Sequence, residues 1–154
     1  MQPIKHVYTY QISLYLLNLV FSLATNCPKL QKLDLSWCKL IHGDGFRELT
    51  KGCPNLVHIN LQGCTNIVNS SVAMLVLGRA QLTYLNLSGW IPLQDSALEA
   101  LGKFSRQLKN LYLSSVRFST PALLGLTSQL THLELLELVG YVKYIYNKIF
   151  ILYM

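Results

Sequence analysis

The sequence predicts an α/β solenoid, in which short strands and short helices alternate and equivalent units stack side by side. Leucines recur at one constant interval, because the step from Leu30 to Leu56 is repeated at Leu82 and again at Leu108. Within each unit, apolar residues alternate as in a strand and then recur three positions apart as in a helix. Hydrophobic residues make up 51% of the chain and charged residues only 13%. This composition excludes a disordered chain and a coiled coil.

The first half of each unit contains the predicted strand. Leu33, Ile59, Leu85 and Leu111 repeat the same interval, and we expect them to point into the core while their neighbours along the chain point out. No single unit can bury its apolar face, so the strands must stack into a parallel sheet with the helices on its other side. The step to the last unit is expected to be shorter than the others. Leu133 is the predicted equivalent of Leu111, whereas a full interval after Leu111 would end at position 137.

The second half of each unit contains the predicted helix. Apolar residues three positions apart fit the inner face of a short helix. These are Phe46 with Leu49, Val72 with Leu75, and Leu98 with Leu101. Residues whose side-chain oxygen can accept a free backbone N–H precede the helices, where helix N-caps are expected. These are Asp44, Ser70, Ser96 and Thr120.

Residues 27–49 and 53–75 resemble the cysteine-containing leucine-rich repeats of the F-box/leucine-rich-repeat proteins, which are units of about 26 residues. Both segments follow the pattern Cys-x-x-Leu-x-x-Leu-x-Leu-x-x-Cys nearly throughout, and the later units keep the leucines but lose the cysteines. The resemblance covers about residues 27–138. The fold predicted is therefore a leucine-rich-repeat solenoid, a right-handed horseshoe with its parallel sheet on the concave face.

In that family the repeat domain recruits a protein for ubiquitination, and a separate F-box docks onto the adaptor of a cullin ubiquitin ligase. Residues 1–26 are too few for an F-box. The resemblance therefore implies the substrate-recognition half of an SCF-type ligase, cytoplasmic or nuclear, with F-box adaptor and cullin as partners only if an F-box lies upstream. A secreted or surface binding module and a cytosolic inhibitor-type horseshoe remain alternatives.

Residues 1–26 have two interpretations. They fit a degenerate first repeat, because four apolar residues lie one interval before their equivalents in the next unit; these are Ile4, Val7, Val20 and Leu23. They also resemble a signal peptide, with an apolar stretch after Lys5. We favour the repeat.

Residues 139–154 form an apolar end that we interpret as a C-terminal cap or tail. This segment contains Lys143 and Lys148 and is too short for a confident membrane span, so no membrane partner is expected.

The four cysteines are explained by the repeat. Because they share its interval and include no Cys-x-x-Cys knuckle, we favour buried thiols over a disulfide, and a disulfide over a metal site; they are Cys27, Cys38, Cys53 and Cys64. Trp90 lies one interval after Cys64, at the position where the two earlier units have cysteine, and is expected to distort the unit around it. The sequence also lacks a phosphate-binding loop and a nucleophile elbow. We therefore predict no enzyme, no cofactor and no metal.

The outward strand positions form the predicted binding surface for a protein partner. The candidate residues are Lys32, Asp34, Ser36, Trp37, His58, Asn60, Gln62, Tyr84, Asn86, Tyr112 and Glu134. Less prominent positions of the same face are Ser88, Asn110, Ser114, His132 and Leu136. Tyrosines are expected to act as anchors, because they combine apolar area with a hydroxyl.

Basic residues are scarce on this predicted face. Only Lys32 of the 13 lysines and arginines lies there. Arg79, Lys103 and Arg106 are candidates for a basic edge elsewhere, but one edge is weak evidence for a nucleic-acid site, and no nucleic-acid partner is expected.

Overall fold

The computed structural model describes residues 4–8, 16–39, 41, 43–77, 79–90 and 93–139. Strands and helices alternate along the chain. The strands are β1 (His6–Tyr8), β2 (Lys32–Asp34), β3 (His58–Asn60), β4 (Tyr84–Asn86), β5 (Asn110–Tyr112) and β6 (Leu135–Glu137). The helices are α1 (Leu16–Asn26), α2 (Gly43–Gly52), α3 (Asn69–Val76), α4 (Asp95–Phe104) and α5 (Thr120–Gln129).

The six strands form one parallel sheet in chain order. The central residues of β2, β3, β4 and β5 pair at the constant interval of the repeat, so that Leu33 lies beside Ile59 and Leu85 beside Leu111. The first pair obeys the same interval, because Val7 of β1 pairs with Leu33. Neighbouring helices pack against one another on one side of the sheet. The predicted α/β leucine-rich-repeat solenoid is therefore confirmed.

The last strand lies at a different register from the predicted one. Leu136, not Leu133, pairs with Leu111, so the final step is only one position shorter than the others and the predicted step to Leu133 is wrong. Leu136 is 1% exposed, whereas Leu133 is only partly buried at the margin of the core. The reason is the length of α5, because Leu130 still donates its N–H to the Leu126 carbonyl at the helix end.

The core lies between the sheet and the helices. The predicted helix columns are buried, since Phe46, Leu49, Val72, Leu75, Leu98 and Leu101 are all fully inaccessible. Trp90 is also fully buried, and its indole Nε1–H donates to the Ile67 carbonyl at 2.6 Å. Both ladders of β4 continue without a break, so the distortion expected at Trp90 does not reach the sheet.

Helix N-termini are capped differently from the prediction. Asp44, Ser70, Ser96 and Thr120 lie inside their helices, because each helix begins at least one residue earlier than expected. Ser119 caps α5 by accepting the Ala122 N–H, at 3.3 Å. At α4 and α5 the preceding unit also accepts the backbone N–H of the residue just before the helix. Asn69 Oδ1 accepts the Gln94 N–H at 2.9 Å, and Asp95 Oδ1 accepts the Ser119 N–H at 2.8 Å. These bonds fasten one unit to the next.

The two ends of the chain are described to different extents. Near the N-terminus, Val20 and Leu23 of α1 are buried in the common core. Apart from Val139, the predicted tail at 139–154 lies outside the described residues. Among the described residues, no helix is both long enough and apolar enough to span a membrane.

Candidate binding surface on the open face of the sheet

The open face is the side of the sheet opposite the helices, and its side chains form two rows. In each of β2 to β6 the central residue is buried and its neighbours point to the open face, as strand geometry requires. The first row consists of His6, Lys32, His58, Tyr84, Asn110 and Leu135. The described side chains of the second row are Asp34, Asn60, Asn86, Tyr112 and Glu137.

The predicted place of Glu134 on this face is wrong. Glu134 precedes β6, and its carboxylate pairs with Lys109 Nζ at 2.8 Å while both side chains are at least half exposed. Glu137 instead occupies the position beside Tyr112. The early last unit assumed from the sequence caused this error, and it also placed His132 and the buried Leu136 on the open face.

Three rings form an aromatic ladder, defined as His58, Tyr84 and Tyr112. The His58 and Tyr84 rings are stacked, with centroids 3.7 Å apart and planes 7° from parallel. Tyr84 and Tyr112 are tilted by 42° at 5.2 Å. All three side chains are only partly exposed, and burial raises the pKa of both tyrosine hydroxyls. The ladder therefore presents a preformed apolar strip with polar edges in the middle of the open face.

The second row contributes to the fold as well as to the surface. Asp34, Asn60 and Asn86 each accept, through a side-chain oxygen, the backbone N–H two residues further on. Asn60 Nδ2 also donates to Asp34 Oδ2, at 2.9 Å, and so joins adjacent units. Local bonds of this kind end strands and form turns. Three predicted binding residues are thus engaged in holding the strand ends, and Ser36 and Asn86 are buried.

Cationic and titratable side chains gather at the N-terminal end of the first row. His6, Lys32 and His58 are consecutive there, because each pairs in register with the next. Burial lowers the pKa of His58, and the charges of Lys32 and His6 lower it further, while Asp34 acts in the opposite direction. We call these three residues the cationic group.

Trp37 lies at the rim of the open face in a strained conformation. It belongs to a column with positive φ that continues through Gly63, Gly89 and Ser115. A backbone φ of 64° is unfavourable for any residue that has a side chain. Trp37 is 50% exposed in this conformation. The ring lies on Gly63, where an added Cβ would clash with Trp37 Cε3. Trp37 is therefore a half-exposed aromatic side chain that packs on the next unit at Gly63.

All four cysteines lie among the described residues, where they are buried and form no disulfide. Cys53 and Cys64 donate to the carbonyls of Leu23 and Leu35 at 3.6 and 3.0 Å. Burial, reinforced by the neighbouring thiol of the adjacent unit, raises the pKa of Cys53 to about 11 and that of Cys64 to about 12. Both remain protonated at neutral pH. Among the described residues, no group of three or more His, Cys, Asp or Glu side chains could hold a metal ion.

Arg79 lies in the interior, not at the basic edge considered above. It stands one repeat interval after Cys53 and is 2% exposed. Its guanidinium donates to the Leu75 carbonyl at 2.8 Å, to the Cys53 carbonyl at 3.2 Å and to the Thr50 carbonyl. These carbonyls lie at or near the C-terminal ends of α2 and α3, which attract positive charge. The sequence contains one indication of this burial: position 79 follows Cys27 and Cys53 at the repeat interval, and both cysteines were predicted to be buried.

The fold and this surface define a leucine-rich-repeat solenoid. A family model described as Leucine Rich Repeat matches residues 108–128. Among solved structures, 68 chains match this one. One is a chain from the crystal structure of the Rad7 and Elc1 complex in yeast, 20% identical, with a TM-score of 0.69. That match covers 85% of this chain and 37% of the other, so the likeness is one of fold. No curated protein matched.

Proposed function

We propose that this chain is a protein-binding scaffold whose open face holds the partner. The observation that carries the proposal is the aromatic ladder, because stacked, partly exposed rings at the centre of a sheet face are typical of binding hot spots. The rings at His58, Tyr84 and Tyr112 are ordered by one another before any partner arrives. Binding them therefore costs little side-chain entropy.

The finer proposal is substrate recognition for an F-box, SCF-type ubiquitin ligase. Its support is the Cys-x-x-Leu pattern at residues 27–49 and 53–75, together with a fold shared with a chain of the Rad7 and Elc1 complex. The chain spans 37% of the length of that neighbour. An F-box adaptor and a cullin would join through a segment outside the repeats.

A reducing compartment, the cytoplasm or the nucleus, belongs to the same proposal. Buried thiols in adjacent units support it, because thiols that lie close together in secreted proteins are commonly oxidised. For residues 1–26 we propose the first repeat and not a signal peptide. The register of β1 and the close approach of Gly52 to the Ala24 backbone support this. Intact mass of the protein expressed in eukaryotic cells would show an uncleaved N-terminus.

The test is affinity purification of the full-length gene product from cells. The wild type is compared with a Tyr84→Ala/Tyr112→Ala double variant, and Phe21→Ala serves as a matched aromatic control on the exposed side of α1. We expect the wild type and the control to recover a cullin, an F-box adaptor and a specific third protein. The double variant should keep the adaptor and lose the third protein.

Two results would contradict the proposal. Absence of adaptor and cullin from every preparation would remove the link to a ligase. Retention of the third protein by the double variant, with its folding verified by circular dichroism, would show that the ladder is not the binding site.

A further inference from the structure

We propose that the open face binds an extended acidic segment of its partner, with the acidic end over the cationic group and a basic residue near Glu137. This inference rests on the proposed function and names the chemistry of the ligand. It follows from the order of ionisable side chains along the two rows: His6, Lys32 and His58 lie at one end, together with the one carboxylate of Asp34, and Glu137 lies at the other end.

One carboxylate, that of Asp34, lies beside the cationic group and favours the charged form of His58. Its Oδ1 accepts the Ser36 N–H and its Oδ2 accepts from Asn60, both at 2.9 Å, and these bonds hold the carboxylate at the strand end. Within the described residues, Lys32 forms no ion pair. An incoming carboxylate would meet the ammonium of Lys32 and the imidazoles of His6 and His58 on neighbouring strands, with Asp34 beside them.

The length of the ligand follows from the sheet. Lys32 on β2 and Glu137 on β6 are four strand intervals apart, which is roughly 19 Å at about 4.8 Å per interval. An extended chain advances about 3.3 Å per residue, so about six residues separate the acidic and basic side chains of the ligand. The aromatic ladder lies between these ends, and apolar or aromatic side chains suit that stretch.

The titration of His58 offers a second signature of the same arrangement. The ionisable groups facing it are His6 on β1, Lys32 and Asp34 on β2, and Tyr84 on β4. Its pKa is lowered by burial and by the two cationic neighbours. A carboxylate bound among them would favour the charged imidazole and raise that pKa. Affinity for the acidic segment would then increase as the pH falls towards 6.

The experiment measures fluorescence anisotropy of labelled synthetic peptides with the whole chain. The probe carries glutamates at one end, phenylalanine and tyrosine in the middle, and a lysine about six residues from the glutamates. A companion peptide replaces the glutamates with glutamine. The protein variants are Lys32→Glu and Lys32→Gln, and Lys103→Glu on the exposed side of α4 is a control with the same change in net charge as Lys32→Glu.

We expect the glutamine peptide to bind about tenfold more weakly than the glutamate peptide, since the contacts of the glutamates with Lys32, His6 and His58 are lost together. Lys32→Glu should weaken binding of the glutamate peptide by about tenfold, Lys32→Gln by less, and Lys103→Glu by less than about twofold. Binding should raise the His58 pKa observed by NMR.

Equal affinity for the two peptides, equal effects at Lys32 and Lys103, or no binding of either peptide would overturn the inference. Each of these results is distinct from failure of the proposed function, which the cellular purification decides separately. A folded double variant that still captures its partner refutes the proposed function, whatever the peptides do.

Discussion

Replacing Arg79 with alanine removes a buried cation that joins two units of the solenoid. The guanidinium of the wild type donates to carbonyls of α2 and α3 and to the Cys53 carbonyl, and the side chain is 2% exposed. Alanine would leave these acceptors without their donor and would leave a space where the aliphatic stem packed.

The magnitude can be worked from these contacts. A buried acceptor that loses its donor costs about 1–3 kcal/mol, and each buried methylene contributes about 0.8 kcal/mol. In the wild type, removing the cation from water costs free energy and lowers the pKa of Arg79. This cost offsets part of the stabilisation that the hydrogen bonds and the packed stem provide. We expect a net loss of about 3 kcal/mol in the free energy of unfolding for Arg79→Ala. Arg79→Met keeps an apolar stem and should lose about 1–2 kcal/mol.

The assay is urea unfolding followed by circular dichroism and by tryptophan fluorescence. Arg106→Ala, an exposed arginine in the next unit, is the control and should change the free energy of unfolding by less than about 0.5 kcal/mol. The comparison of alanine with methionine at position 79 separates the loss of the hydrogen bonds from the loss of the packed stem. If Arg79→Met is as stable as the wild type, the hydrogen bonds contribute nothing net and the reasoning is refuted.

Two further predictions concern the turns and the thiols. Gly63→Ala and Gly89→Ala share a positive φ, but only the former places its Cβ against Trp37, whereas the nearest atoms to Gly89 lie 3.7 Å away. Gly63→Ala should cost about 1 kcal/mol more in urea unfolding and alter the fluorescence of Trp37, and equal losses would contradict the packing. The raised pKa of Cys64, about 12, means that its contribution to stability is complete below its ordinary value of about 9 and is lost as the pH rises towards 12. The urea midpoint should therefore fall over that range, and less so in Cys64→Ala; identical profiles would contradict burial as the cause.

Much of the candidate site was predictable because the repeat carries side chains into register. Lys32, His58 and Tyr84 were expected on the open face, and they occupy consecutive positions of its first row. The stacking of the His58 and Tyr84 rings was not predictable, since it depends on side-chain rotation after the strands are paired. The hydrogen bond between Asn60 and Asp34 was not predictable either. An outward-facing polar residue has the same sequence pattern whether its side chain binds a neighbouring residue or water.

The last unit shows where periodicity becomes ambiguous. Leucine occupies positions 130, 133, 135, 136 and 138, so a last step that ends at Leu133 and one that ends at Leu136 both place leucine in the inward columns. Packing resolves this, because α5 extends to Gln129 and the strand begins only at Leu135. Glu137 then reaches the open face, and Glu134 stays on the loop before it.

The sequence by itself determined the unit, its strand and helix halves, and the inward columns, because a chain that repeats at a constant interval can bury its leucines only by stacking equivalent positions. Tertiary structure alone decided which carbonyls surround Arg79 and how the rings of His58 and Tyr84 stack. A charge inside the core is tolerated only where carbonyls of two different units converge on it, and rings stack only once separate strands are brought within reach. Both depend on distances between units, which a one-dimensional pattern does not contain.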